Sequence, residues 1–176
     1  MRLGEAARAA LLLAALAMMV LLIAQHAAVA ARHGRVTGLP IPRFVSLRAD
    51  KVNLRVGPGF RYPIEWVLQR RDLPVEIIGE FATWRKLRLH DGTTGWVSQT
   101  LLSAHRTIIL TGSRQVLRAA PREHSRAIAE LAGHVIARLI SCRAAEAWCR
   151  VAVRGYRGYL RRGAIWGVAA DEQYPP

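Results

Sequence analysis

The stretch that decides the fold is VNLRVGPGF, residues 52–60. Val52, Leu54 and Val56 alternate with polar residues, and this period of two predicts a half-buried strand. A stiff, kinked loop is predicted at residues 57–59, because glycine adopts backbone angles closed to other residues and proline fixes one more. The chain therefore leaves a short strand through a rigid bend.

More short strands follow this bend. Residues 74–79, 83–89 and 95–97 have the length and composition of strands. Between the last two, Asp91-Gly92 is a hairpin signal. Together these segments predict a small all-β domain over residues 44–103.

The second half of the chain repeats this order of segments. Three stretches correspond at offsets of 63 to 64: 115–121 with 52–58, 148–153 with 84–89, and 158–160 with 95–97. Matched segments in one order predict a second copy of the domain. A helix over residues 125–132 is the alternative there, since Ile128, Leu131 and Ala132 have helical spacing.

The second copy departs from the first at the bend. Ala120 and Arg122 stand where the first copy has Gly57 and Gly59. This difference predicts a loop of another shape and argues against a site built on it in the second copy.

The order of segments resembles the bacterial Src-homology-3-like domain family, through the strand VNLRVGPG, the aromatic-bearing strand WRKLRL and the closing DGTTGWV. The resemblance implies small β-barrels of exported bacterial proteins that bind cell-wall material or peptides and seldom carry catalysis. We therefore predict an all-β chain with two tandem Src-homology-3-like β-barrels after an N-terminal signal or anchor helix. The predicted segments are 1–30 (signal peptide or membrane anchor), 31–43 (stiff, extended linker), 44–103 (first barrel), 105–168 (second, divergent barrel) and 169–176 (tail).

The N-terminus has the features of an export signal. Arg2 and Arg8 flank the start of an apolar run over residues 9–24, and Ala28-Val29-Ala30 offers small residues to a signal peptidase. We expect cleavage after Ala30, with an uncleaved inner-membrane anchor as the alternative. Both place the rest of the chain outside the cytoplasm, periplasmic or exported.

The composition is strongly basic, with 26 Lys and Arg against 12 Asp and Glu and a net charge of +14. A positive field of this size predicts anionic partners. Export argues against nucleic acid as a partner and leaves peptidoglycan or an envelope protein or peptide, with membrane contact through the N-terminal helix if it stays uncleaved.

Nothing in the sequence forms a convincing catalytic or metal-binding set. A papain-like pairing of a cysteine with a histidine is the enzymatic alternative, but the two copies leave no room for a catalytic domain. Cys142 and Cys149 fall on adjacent predicted strands, so an oxidising compartment predicts a disulfide between them. The carboxylates are predicted to be solvated: Asp50, Glu65, Asp72, Glu76, Glu80 and Asp91. No cofactor or metal is predicted.

Binding is better supported than catalysis. The predicted ligand-binding residues are Arg55, Phe60, Arg61, Tyr62, Trp84 and Trp96. Their aromatic faces suit sugar rings or peptide side chains, and their guanidinium groups suit carboxylates. A core position is the alternative for Trp84 and Trp96.

The sequence thus predicts a non-enzymatic exported binding module of the bacterial envelope that recognises peptidoglycan or a peptide. The alternatives are a scaffold that holds another envelope protein and a small envelope hydrolase.

Overall fold

A computed structural model describes residues 32–175. The predicted signal or anchor segment at residues 1–30 lies outside the described residues. Within residues 32–175 there is no helix long and apolar enough to cross a membrane.

The described residues form two seven-stranded antiparallel sheets and a two-stranded ribbon. The ribbon is β1 (Arg32–His33) and β2 (Pro40–Ile41). The first sheet contains β3 (Arg43–Leu47), β4 (Val52–Arg55), β5 (Ile64–Leu68), β6 (Pro74–Phe81), β7 (Trp84–Arg88), β8 (Thr94–Ser98) and β9 (Leu102–Ser103). The second contains β10 (Thr107–Leu110), β11 (Arg114–Arg118), β12 (Ala127–Ala132), β13 (Ile136–Cys142), β14 (Trp148–Val153), β15 (Tyr156–Arg161) and β16 (Ile165–Trp166).

The two sheets have one topology. Strand order is β5-β4-β8-β7-β6-β3-β9 in the first and β12-β11-β15-β14-β13-β10-β16 in the second, which is the same order displaced by seven strands. In both, a 3₁₀ turn precedes the last strand, at Gln99–Leu101 and at Arg162–Ala164. The all-β tandem architecture is confirmed, and the helix alternative for residues 125–132 gives way to β12.

The prediction of closed barrels is wrong. Among the described strands, β5 pairs with β4 and β9 pairs with β3, so these two are the edges of an open, bent sheet. Strand β4 meets β8 through the single pair Arg55 and Trp96. The β4–β5 hairpin is thus joined to the rest of the sheet by a single residue pair.

The segment predicted as an extended linker contains the β1–β2 ribbon. Arg32 pairs with Ile41, and a turn at residues 34–38 joins the two strands. The ribbon is tied to the first domain by Glu80, which accepts hydrogen bonds from the backbone N–H groups of Val36 and Thr37 at 3.1 and 3.0 Å. These contacts give the segment a shape that its prolines alone did not indicate.

The two domains pack against each other through β10. All four residues of this strand are buried. Ile108 and Leu110 belong to the core of the second domain, whereas Ile109, with 1% of its surface exposed, belongs to the core of the first. Since successive side chains of a strand point to opposite faces, one strand contributes to two cores.

Candidate functional site

Arg55 organises the loop after β4. One nitrogen of its guanidinium donates hydrogen bonds to the carbonyl oxygens of Phe60, at 3.1 Å, and Tyr62, at 2.7 Å. Its terminal carbon lies 5.7 Å from the centre of the Phe60 ring. Arg55 thus holds the loop through its carbonyl oxygens and contacts the face of the Phe60 ring.

Phe60 and Trp84 form an aromatic pair at the surface. The ring centres are 5.0 Å apart in an edge-to-face arrangement. Phe60 is 78% exposed, whereas Trp84 is 7% exposed. Trp84 therefore takes the core-like position, and Phe60 is the ring that a ligand can reach.

Trp96 lies on the same face of the sheet. It is half-buried and pairs with Arg55 on one side and with Lys86 on the other. Cross-strand partners present their side chains on one face, so an aromatic ring lies between two cations. Lys86 was not predicted as a site residue, although it lies two residues after Trp84 and therefore on the same face of the strand. We call Arg55, Phe60, Trp84, Lys86 and Trp96 the Phe60 patch.

Two predicted ligand contacts pack against each other instead. The Arg61 guanidinium carbon lies 5.4 Å from the centre of the half-buried Tyr62 ring. That ring occupies the space beside Gly57, where a Cβ atom would come within 2.4 Å of it. Tyr62 is thus part of the wall of the loop, and Arg61 packs on its ring.

The reason for the glycines in the bend differs from the one predicted. Neither Gly57 nor Gly59 has a positive φ. Gly57 is needed because the Tyr62 ring leaves no room for a side chain. The constraint comes from packing and not from the backbone angles.

The second domain keeps the same loop, contrary to prediction. The bonds from Val56 N to Pro63 O and from Tyr62 N to Gly59 O recur 63 residues later, from Ala119 to Arg126 and from Ser125 to Arg122. Ser125 replaces Tyr62, and its hydroxyl accepts a hydrogen bond from Ala120 N at 2.8 Å. With the ring gone, alanine fits where glycine was required.

A paired substitution tests this account. Gly57→Ala is expected to lower the free energy of unfolding by about 1–3 kcal/mol, because the new methyl group overlaps the Tyr62 ring. In the Gly57→Ala, Tyr62→Ser double variant, which copies the second domain, the two losses are expected to be less than additive by about 1 kcal/mol or more. Urea denaturation of Gly57→Ala, Tyr62→Ser and the double variant measures the coupling.

Gly59→Ala is the matched control, since its Cβ would lie 3.4 Å from the Tyr62 ring, an ordinary contact. Strict additivity of the Gly57 and Tyr62 substitutions would contradict the account.

The second domain carries a related but altered face. Tyr159 pairs with Arg118 and Arg150, as Trp96 pairs with Arg55 and Lys86. Trp148 takes the position of Trp84, but the residue at the place of Phe60 is Glu123, which forms an ion pair with Arg161. Polar groups thus replace the exposed aromatic ring.

Two carboxylates predicted to be solvated are buried. Glu76 is 7% exposed and pairs with Arg88 at 2.7 Å. The side chain of Glu80 is fully buried and contacts Arg43 at 2.7 Å and Arg85 at 3.7 Å. Burial raises the pKa of Glu80, but hydrogen bonds from Thr37, Arg43 and the backbone of Val36 outweigh it and lower the pKa to about 2. Both groups are structural anchors of the first domain.

The structure joins Cys142 and Cys149 by a disulfide, with their Cα atoms 4.4 Å apart. They form a cross-strand pair between β13 and β14. The same register position in the first domain holds Glu80 and Arg85. Within residues 32–175 no group of three or more His, Cys, Asp or Glu is arranged to hold a metal ion.

The comparisons with known proteins agree with the repeat. The family described as bacterial SH3 domain matches twice, at residues 48–104 and 111–167, which together cover more than half of the chain. The chain belongs to the bacterial SH3 domain family, in two tandem copies, and the resemblance seen in the sequence is confirmed. No curated protein matches the chain.

Three solved structures have limited similarity. NlpC2 and NlpC1 from Trichomonas vaginalis are 16% and 14% identical, with TM-scores of 0.33 and 0.34, and cover 71% and 76% of this chain. An NlpC/P60 family protein from Bacillus cereus ATCC 10987 is 14% identical, with a TM-score of 0.32, and covers 70% of this chain. The chain matches 48%, 48% and 55% of the length of these three proteins.

Proposed function

We propose that this chain is a non-enzymatic, exported binding module of the bacterial cell envelope that recognises peptidoglycan through the Phe60 patch. The observation that carries the proposal is the exposed Phe60 ring, whose centre lies 5.7 Å from the Arg55 guanidinium carbon. Lys86 adds a second cation to the same face of the sheet, opposite Trp96. A polymer that offers sugar rings next to free carboxylates matches both features. Membership of a family of binding domains supports a module without chemistry of its own.

Co-sedimentation with purified cell-wall sacculi tests the proposal. Phe60→Ala is expected to weaken binding about tenfold, as for an exposed aromatic residue at the centre of a contact. The high exposure of the ring means that the variant should fold normally. Tyr156→Ala is the matched control, since Tyr156 is an exposed aromatic residue (54%) on the second domain.

The dependence of binding on salt concentration distinguishes this function from that of a scaffold. Wall binding steered by the net charge of +14 should fall steeply between roughly 50 mM and roughly 500 mM salt, because the Debye length shortens. A packed protein interface should change far less. Sacculus binding that resists both salt and Phe60→Ala would contradict recognition through the Phe60 patch, and absence of binding to purified sacculi would favour the scaffold.

Export also carries a prediction for the cysteines. In an oxidising compartment, Cys142 and Cys149 are expected to remain joined. Thiol labelling of the non-reduced protein from the envelope fraction should find no free cysteine, and reduction should release both. Because the closed loop is short, reduction should lower the free energy of unfolding by on the order of 2 kcal/mol. Two labelled thiols before reduction would contradict the proposed location.

A further inference from the structure

The second domain contains a cavity of ≈250 Å³ on the face that corresponds to the Phe60 patch. We call it the hairpin pocket, and its lining includes Arg143, Glu146, Trp148, Arg150 and Tyr159. Trp148 and Tyr159 are half-buried. The repeat thus has a depression where its partner domain has an exposed phenylalanine.

A longer hairpin builds one wall of this pocket. Six residues separate the paired Cys142 and Cys149, whereas four separate the equivalent pair Glu80 and Arg85. The longer β13–β14 connection supplies Arg143 and Glu146, which line the pocket. The first domain has no counterpart of this wall, because its hairpin turns two residues earlier.

The wall is held in place from two sides. The disulfide closes the base of the hairpin. Arg162, from the 3₁₀ turn, donates hydrogen bonds to the carbonyl oxygens of Arg143 at 2.7 Å and Glu146 at 3.1 Å. A site whose wall is fixed before binding avoids the entropy cost of ordering it.

The groups in the pocket define the ligand that would fit. Within residues 32–175, Arg150 forms no hydrogen bond or ion pair, so its guanidinium is available to a ligand. It lies beside Tyr159 in the sheet register. Arg161, which is not a lining residue, has its guanidinium carbon 5.2 Å from the Trp148 ring centre. A free guanidinium among aromatic faces suits a carboxylate attached to a ring.

Glu146 adds an acceptor to this set. Its carboxylate lies 3.4 Å from Arg143, which leaves further lone pairs for a hydroxyl or amide N–H of a ligand. The pocket therefore combines a cation, two aromatic faces and an acceptor within a volume that suits one sugar-sized group.

We infer that the hairpin pocket of the second domain binds a carboxylate carried on a sugar ring, with Arg150 holding the carboxylate and Trp148 and Tyr159 contacting the ring. The inference rests on the proposed function for the choice of probe alone. The more selective site is thereby assigned to the second domain, whose loop lacks the two glycines of the first.

Two sugars that share the same ring and differ in the carboxylate test the inference. N-acetylmuramic acid carries a carboxylate that N-acetylglucosamine lacks, and the dissociation constant of each is measured by NMR titration of the full chain. We expect N-acetylmuramic acid to bind at least about tenfold more tightly, since a charge-assisted bidentate pair forms with the acid alone. Equal dissociation constants for the two sugars would overturn the inference.

Arg150→Gln is the decisive variant. It should raise the dissociation constant for N-acetylmuramic acid about tenfold and leave that for N-acetylglucosamine unchanged. Arg157→Gln, at an exposed arginine of the neighbouring strand, is the matched control and should change neither. Equal effects of the two substitutions would show a non-specific charge effect and overturn the assignment of Arg150.

The Phe60→Ala variant distinguishes this site from the Phe60 patch. Loss of sacculus binding in Phe60→Ala with unchanged binding of N-acetylmuramic acid would support two separate sites. If Phe60→Ala binds sacculi normally while Arg150→Gln loses N-acetylmuramic acid, the proposed role of the Phe60 patch fails and the hairpin pocket stands.

Discussion

Glu80→Gln is expected to lower the free energy of unfolding by on the order of 3 kcal/mol at pH 7. The native carboxylate is fully buried among Arg43, Arg85 and the N–H groups of the β1–β2 turn. Removing the charge leaves two guanidinium groups without their shared counter-ion, and buried cations that lose a partner are costly. The amide of glutamine also places an N–H donor against the guanidinium and backbone N–H donors that the carboxylate accepts from, so part of this hydrogen bonding is lost.

The same interaction makes stability depend on pH. The pKa of Glu80 is about 2 in the folded protein, against an ordinary value of 4.5. The unfolded chain therefore takes up this proton first as the pH falls. The contribution of Glu80 is complete above about pH 4.5 and disappears as the pH drops toward 2. Denaturation curves recorded between pH 7 and pH 2 should show the wild-type and Glu80→Gln stabilities converging over that window.

Glu65→Gln is the matched control, because Glu65 is an exposed carboxylate of the same domain. It should leave the free energy of unfolding nearly unchanged at every pH. Trypsin gives an independent readout at Arg35, in the turn that Glu80 holds, and Glu80→Gln should speed cleavage there. A stability gap between wild type and Glu80→Gln that stays constant down to pH 2 would contradict the assigned role.

Local pattern was sufficient to predict most of the strands, but not the β1–β2 ribbon. The alternation at residues 52–56 and the Asp91-Gly92 turn depend on neighbours within a few positions, and those neighbours are visible in the sequence. Thr93 N donates to the Asp91 side chain at 2.9 Å in the observed turn. Order along the chain also revealed the tandem copy, because the same short signals recur at one spacing.

The partners of Glu80 could not be predicted in this way. Apart from Arg85 on the adjacent strand, they lie 37 to 44 residues away in sequence, and no spacing rule connects a carboxylate on β6 with a turn before β3. The prediction of closed barrels was wrong for a similar reason. Closure depends on how two edge strands meet, which alternation within each strand does not report.

The candidate site could be predicted only where it depends on residues that are close together in the sequence. Phe60 follows the bend, so its exposure was foreseeable, and Trp96 lies on the patterned face of β8. The inward position of Tyr62 depends on the shape of the loop, which Arg55 sets through carbonyl oxygens five and seven residues away. The hairpin pocket depends on two extra residues in a connection, and only the aligned registers of the two sheets reveal them.

Ile109→Asp is expected to uncouple the two domains. Ile109 is 1% exposed and packs with the core of the first domain, although its strand belongs to the second. Trp166, which pairs with Ile109, contacts Phe44 of the first domain edge-to-face at 4.9 Å. A buried carboxylate in this contact would have no partner, so the interface should open at a cost of several kcal/mol.

Calorimetry detects the uncoupling directly. The wild-type chain should unfold in one cooperative transition, because Ile109 and Trp166 of the second domain complete the core of the first. The Ile109→Asp variant should show two transitions, with the earlier one lowered by several degrees. Ile109→Ala should give an intermediate result and cost about 2–4 kcal/mol.

Ile108→Ala is the matched control, since Ile108 lies on the opposite face of the same strand, in the core of the second domain. It should destabilise that domain by an amount similar to the effect of Ile109→Ala without acting on the contact between domains, so the shape of the wild-type transition should be kept more closely than in Ile109→Ala. A single transition in Ile109→Asp at the wild-type temperature would mean that the domains do not share a core. The side-by-side result assigns the coupling to one face of β10, because the two isoleucines differ in the face they occupy and in little else.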